Sequence, residues 1–158
     1  MSTLSELPKT VLITGASAGI GKELAHVFAR HQFDVILVAR REDKLQMVAD
    51  DIKKQHGQMA FVLTENLADP AAPQRIFDWC QEQAIEVDAL VNNAGYALQG
   101  GFLDESWQGH MDFIQVLNIS VVHLCHLFAP AMKERGYGRI INLASIAAWS
   151  PQLKGNLY

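Results

Sequence analysis

Short runs of apolar, mostly β-branched residues alternate along the chain with longer stretches in which apolar positions recur every three or four residues. The first pattern fits strands buried on both faces, and the second fits helices with one apolar side. Thr10–Thr14 predicts a first strand, and Ile20, Leu24, Val27, Phe28 and His31 then fall on one helical face. Residues 34–39 predict a second strand, followed by a helix over 42–56 with Leu45, Val48 and Ile52 on a shared stripe. Residues 58–63 predict a third strand. A helix over 69–82 is expected next, with Asp69 as its N-cap and Pro70 at its first position. Residues 87–91 predict a fourth strand. A long helix carrying Ile114, Leu117, Val121, Leu124 and Phe128 stops near Arg135 and Gly136, before a fifth strand over 138–144.

Continuous apolar strands separated by amphipathic helices imply a parallel sheet covered on both faces. Right-handed crossovers then favour an α/β, doubly wound parallel sheet of the Rossmann type. No repeat, low-complexity tract or Pro/Gly-rich linker divides the chain, so residues 1–158 are expected to form a single domain. Apolar runs such as 35–39 are far shorter than the roughly 20 residues that span a bilayer. Residues 1–8 lack the basic and apolar regions of a signal peptide.

With 17 acidic and 13 basic residues the net charge is −4, which excludes the basic footprint of a nucleic-acid binder. Cys80 and Cys125 are expected to be reduced, buried thiols, and the chain is expected to be cytoplasmic. His123 and His126 stand three apart on the long helix, but no third ligand accompanies them, so no metal site is expected. Trp79, Trp107 and Trp149 are expected to serve packing.

The candidate chemistry lies between the first strand and the first helix, in Thr14-Gly15-Ala16-Ser17-Ala18-Gly19-Ile20-Gly21. Gly15 permits a tight turn, Gly19 leaves room for a diphosphate against the backbone, and Gly21 lets the helix pack closely on the sheet. First-turn N–H groups and the helix dipole then attract the anion. A P-loop fails on spacing: Ala16 stands where its first glycine is required, and Glu23 stands where a magnesium-binding hydroxyl is required. A glycine-rich turn with no ligand is the alternative.

Thr14 to Gly21 resembles the cofactor motif of the short-chain dehydrogenase/reductase family at every fixed position. Asn92-Asn93-Ala94-Gly95 is similar to that family's second motif. Asn118, Ser145 and Tyr158 occupy positions similar to its active-site asparagine, serine and tyrosine, with Tyr158 thirteen residues beyond Ser145. The resemblance covers nearly the whole chain. It implies cofactor contacts from Gly15, Ser17, Gly19, Ile20, Gly21, Asn66, Leu67, Asn92, Ala94 and Gly95, and a homo-oligomer in the full-length form. Where the family has an aspartate facing adenine this chain has Asn66, whose amide oxygen can still accept a bond.

At the end of the second strand, Arg40 and Arg41 replace the acid that grips an NAD ribose. Two guanidiniums suit the 2′-phosphate of NADP, the expected cofactor; the alternative is that both are solvated caps of a turn. The resemblance implies hydride transfer between nicotinamide and a carbonyl or alcohol substrate. In it Tyr158 acts as acid or base, Ser145 bonds the substrate oxygen and Asn118 positions a relay water. Singly, Asn118 and Ser145 are also explained as a solvated helix residue and a strand-end serine.

The family's lysine, four residues after its tyrosine, has no counterpart before the last residue, and Lys154 lies in a stretch expected to be loop. The chain is therefore expected to be a fragment of a longer enzyme, inactive alone, with its fifth strand an open apolar edge. A non-catalytic nucleotide-binding or interaction module is the alternative.

Overall fold

β1 (Thr10–Thr14) lies between β2 (Asp34–Ala39) and β4 (Ala89–Asn92), while β3 (Ala60–Thr64) and β5 (Arg139–Asn142) form the two edges. The computed structural model describes residues 9–98 and 100–148. Every strand pair is parallel and the order is β3-β2-β1-β4-β5, the Rossmann arrangement. The order reverses at β1, so the crevice beyond the carboxyl ends of β1 and β4 is where this architecture binds ligands.

α1 (Gly19–Arg30) and α2 (Glu42–His56) cover one face of the sheet. α3 (Ala72–Glu82) and α5 (Ser120–Glu134) cover the other. α4 (Trp107–Ile114) continues into α5 through a π-helical turn, Gln115–Ile119. The two cores have no exposed centre: Val11, Ile13, Val35 and Leu37 face α1 and α2, while Leu12, Ile36 and Leu90 face α3 and α5. This division follows from the two-residue period of a strand.

β1, β2 and α2 occupy the residues that the pattern predicts, and Leu45, Val48 and Ile52 are buried. β3, β4 and β5 differ by one or two residues at their ends, the ordinary uncertainty of strand boundaries.

Two larger differences have physical causes. The helix expected from Asp69 begins at Ala72. Had Pro70 been the first helical residue, Pro73 would fall where the first intrahelical N–H is required, and proline has none. Asp69 instead accepts from the Ala71 N–H at 2.9 Å and stabilises a turn before the helix.

In α1, the residues buried on the sheet are Gly21, Ala25 and Ala29, flanked by half-buried Leu24 and Phe28. Ile20 and Val27 are 64% and 40% exposed, and His31 is an exposed C-cap. The helix sits too close to the sheet for large side chains, so small residues make the contact.

Both cysteines are free thiols; Cys80 is buried and Cys125 half-buried. Burial pushes the Cys80 thiol up to about 12. Trp79 packs edge-on against Phe61, whereas Trp107 is 73% exposed and Trp149 lies outside the described residues.

Among the described residues, the Trp107–Glu134 helix is long and apolar enough to cross a membrane by length and composition. Its Leu124, Phe128 and Met132 are buried in the core beside β4. β5 is an edge strand exposed along its length, with Ile140 and Ile141 at 40% and 41%.

The packing of α1 makes a testable distinction. Ala25→Leu forces added volume against the sheet and is expected to destabilise by about 1–3 kcal/mol. Val27→Ala is expected to change stability by no more than about 0.5 kcal/mol. Urea unfolding monitored by circular dichroism separates the two outcomes.

Candidate functional site

The turn after β1 is held from below by a side chain of that strand. Thr14 is 1% exposed, and its hydroxyl accepts from the backbone N–H groups of Asn93 and Ala94, each at 3.0 Å, while donating to the Val91 carbonyl at 3.4 Å. Asn93 returns the connection: its amide Nδ2 donates to the carbonyls of Thr14 at 2.8 Å and Gly15 at 3.3 Å. The end of β4 is thereby fixed against the start of the glycine turn.

Each glycine of the turn has a separate requirement. Gly15 adopts φ +68°, and a Cβ there would lie 2.9 Å from the Ala94 Cα. Gly21 has its α-carbon against the turn itself; a Cβ would meet the Gly15 carbonyl oxygen at 2.5 Å and also the Asn93 amide nitrogen. Gly19 adopts φ +57°, and nothing lies within 4 Å of where its Cβ would be. The backbone is therefore open to a ligand at Gly19. The N-cap of α1 is Ala18, which has no side-chain oxygen, and no acidic residue occupies the first turn. The N–H groups and the positive end of the helix dipole are left to an anion from outside the helix.

A cleft of about 350 Å³ opens beside this turn. Gly15, Ser17 and Ala18 form one wall, and Val38 to Arg41 at the end of β2 form another. Glu65 to Ala68 after β3, Ala94 to Tyr96 after β4, and Asp112 and Val116 from the long helix complete it. Arg41 Nη2 donates to Ser17 Oγ at 3.0 Å, which joins the arginine pair to the glycine turn. Arg40 and Arg41 are both exposed.

The structure thus brings Gly15, Ser17, Arg40, Arg41, Asn66, Leu67, Ala94 and Gly95 to one cleft. Gly19, Ile20 and Gly21 adjoin it as the first turn of α1. Asn66 is exposed, and its Oδ1 accepts from the Ala68 N–H at 3.2 Å; Leu67 is buried at 6%. Asn92 stands elsewhere. It is 4% exposed within the sheet, and its Nδ2 donates to Asn142 Oδ1 at 2.8 Å. Alternation along β4 sends Asn92 and Asn93 to opposite faces, and Asn93 is the one that meets the turn.

Asn118 is an exposed residue of the π-helical turn Gln115–Ile119. Such turns occur often at functional sites, because an extra residue in the turn disturbs the regular ladder of carbonyl bonds. Ser145 lies three residues past β5, where its Oγ accepts from the Ala147 N–H at 3.1 Å. Tyr158 lies outside the described residues. Among the described residues, no group of three or more His, Cys, Asp and Glu is placed to hold a metal ion.

Sequence motifs and spacing alone do not mark Thr14, Asn93, Glu65 and Asp112 as site residues. Thr14 and Asn93 are nonetheless within reach, because both belong to the two motifs that the sequence displays. Tyr96 packs edge-on against Phe113 with ring centroids 5.5 Å apart. Burial raises the Tyr96 phenol's pKa, and the Asp112 charge adds to that rise.

The short chain dehydrogenase family model matches residues 9–158. A ketoacyl reductase of Nostoc sp. is 32% identical over 147 residues, covering 93% of this chain and 50% of its own length. A short-chain dehydrogenase from Sphingobium yanoikuyae in complex with NADPH superposes with a TM-score of 0.88 at 33% identity, over 95% of this chain and 58% of that one. L-Sorbose reductase from Gluconobacter frateurii, complexed with NADPH and L-sorbose, gives a TM-score of 0.88 at 30% identity, over 94% and 57%. The chain spans about half the length of the curated relatives it matches.

Thr14→Val keeps the shape of the side chain but leaves the Asn93 and Ala94 N–H groups without their acceptor. The expected loss is about 1–3 kcal/mol for each buried group left unpaired. The urea midpoint measures it, with a Thr14→Ser variant expected to retain most of the stability.

Proposed function

Because the chain belongs to the short chain dehydrogenase family, we propose that it forms the nucleotide-binding part of an oxidoreductase that takes NADP(H) into this cleft and acts on a small carbonyl or alcohol substrate. The observation that carries the choice of nucleotide is the arginine pair at the end of β2, with Arg41 bonded to Ser17 on the glycine turn. Two relatives of the same fold are NADPH complexes.

In this reading the N–H groups at the start of α1 hold the diphosphate, which the open backbone at Gly19 allows to approach. Arg40 and Arg41 hold the adenosine 2′-phosphate by charge-assisted bonds. Asn66 faces the adenine amino group, Leu67 supplies an apolar wall, and Ala94 and Gly95 admit the nucleotide close to the backbone. The nicotinamide supplies or accepts a hydride when bound.

The substrate oxygen is the charge-developing atom during reduction. We assign the Ser145 hydroxyl to donate a hydrogen bond to it and the Tyr158 phenol to deliver its proton. Asn118, on the π-helical turn, holds a water that resupplies that proton. In the oxidative direction the same tyrosine takes the proton away.

Replacing the pair as Arg40→Asp with Arg41→Ser tests the nucleotide assignment. Isothermal titration is expected to show NADPH affinity reduced roughly tenfold to hundredfold, as charge-assisted bonds of this type contribute. NADH affinity is expected to hold or rise. NADPH affinity unaffected by both changes would remove the basis for the assignment.

A further inference from the structure

The mouth of the cleft holds an acid as well as two arginines. Glu65 follows β3, and its N–H donates to the Ala39 carbonyl at 3.0 Å, immediately before Arg40. Glu65 is one of the residues that line the cleft. Left to itself, a carboxylate there would act in two ways against a bound phosphate. It would repel the phosphate directly, and it would offer Arg40 or Arg41 an internal partner.

A residue outside the cleft lining takes both carboxylate oxygens instead. Arg75 on α3 donates from Nε to Glu65 Oε1 at 2.9 Å and from Nη2 to Oε2 at 2.7 Å. The same guanidinium reaches Asp69 Oδ2 from Nη1 at 2.8 Å. Fork-shaped contact of this kind fixes orientation as well as neutralising charge. The Glu65 side chain is only 14% exposed, so solvent screens it less than a surface acid. The other lining carboxylate, Asp112, accepts from Gln108 Nε2 at 2.8 Å and lies near Tyr96, whose ionisation its charge disfavours. It is not held by Arg75. Glu65 is therefore the acid that Arg75 controls.

We propose that Arg75 is a positioning residue for nucleotide selection: by occupying both oxygens of Glu65 it keeps that acid from opposing an adenosine 2′-phosphate and from capturing Arg40 or Arg41. The inference rests on the NADP reading of the cleft and adds a residue that does not touch the nucleotide. The clamp strengthens binding of NADPH, whereas binding of NADH, which lacks the 2′-phosphate, is indifferent to it.

The test is isothermal titration of NADPH and NADH into the parent chain, Arg75→Met, Glu65→Gln and the double variant, with thermal unfolding run on each. Arg75→Met is expected to weaken NADPH about fivefold and to leave NADH within about twofold, the scale of a partly exposed ion pair. The double variant, which lacks both the acid and its clamp, is expected to recover parental NADPH affinity. Glu65→Gln alone is expected to bind NADPH at least as tightly as the parent. Both Arg75 variants lose the Asp69 contact equally, so a disturbed start of α3 cannot explain the recovery. Equal weakening of both nucleotides, no weakening at all, or failure of the double variant to recover each overturns the role of Arg75. A parent chain that does not prefer NADPH overturns instead the NADP reading, and this inference falls with it.

Discussion

The Thr14 hydroxyl receives two backbone N–H groups from the end of β4, and Asn93 answers with two bonds to the carbonyls of the turn after β1. These bonds join two strands that sit side by side at the carboxyl edge of the sheet. A parallel sheet does not fix its own loops, because each loop must leave for a helix on one face or the other. Here the loops after β1 and β4 are fixed to each other through buried polar groups. The cost of leaving any member of such a network unpaired is what holds the arrangement in one geometry. Gly15 and Gly21 belong to the same constraint, since a side chain at Gly15 would push into Asn93 and the Ala94 backbone, and one at Gly21 into Asn93 and the Gly15 carbonyl.

With the turn fixed, the start of α1 faces the cleft without a capping side chain, and β2 delivers two arginines beside it. The cleft thus sets an uncapped helix end and two guanidiniums beside one another. Glu65 and Asp112 are the opposing charges, and Arg75 holds the first of them. The cleft is thus assembled from the loops after four strands, and the acid on one of them is paired with a residue of α3. That arrangement gives the family resemblance a physical content at the residues of this chain.

Much of this was legible in the sequence. β1, β2 and α2 announce themselves by unbroken apolar runs and a clear stripe, and the glycine turn announces itself by spacing. The parts that were not legible share a cause: they depend on contacts between residues that local pattern cannot weigh. The sheet-facing side of α1 is made of Gly21, Ala25 and Ala29, which barely register as a hydrophobic stripe. The start of α3 was set by Pro73, whose missing N–H outweighed the attractive cap at Asp69. Asn92 and Asn93 look alike in sequence, yet strand alternation separates their surroundings. The π-helical turn at Asn118 interrupts an apolar period that continues on both sides of it. The pairing of Glu65 with Arg75 spans ten residues across a turn and has no periodic signature.

The proposed function requires the backbone from Gly15 to Gly21 to receive the diphosphate of a dinucleotide. Backbone amide NMR during titration with NADPH observes that contact directly. Shifts largest at Gly15, Ser17, Gly19, Ile20 and Gly21, with further shifts at the cleft residues Arg40, Arg41, Asn66, Leu67, Ala94 and Gly95, are the predicted result. Shifts centred on the separate cavity beside Arg30 and His56, or none in the glycine turn at saturating nucleotide, would contradict it.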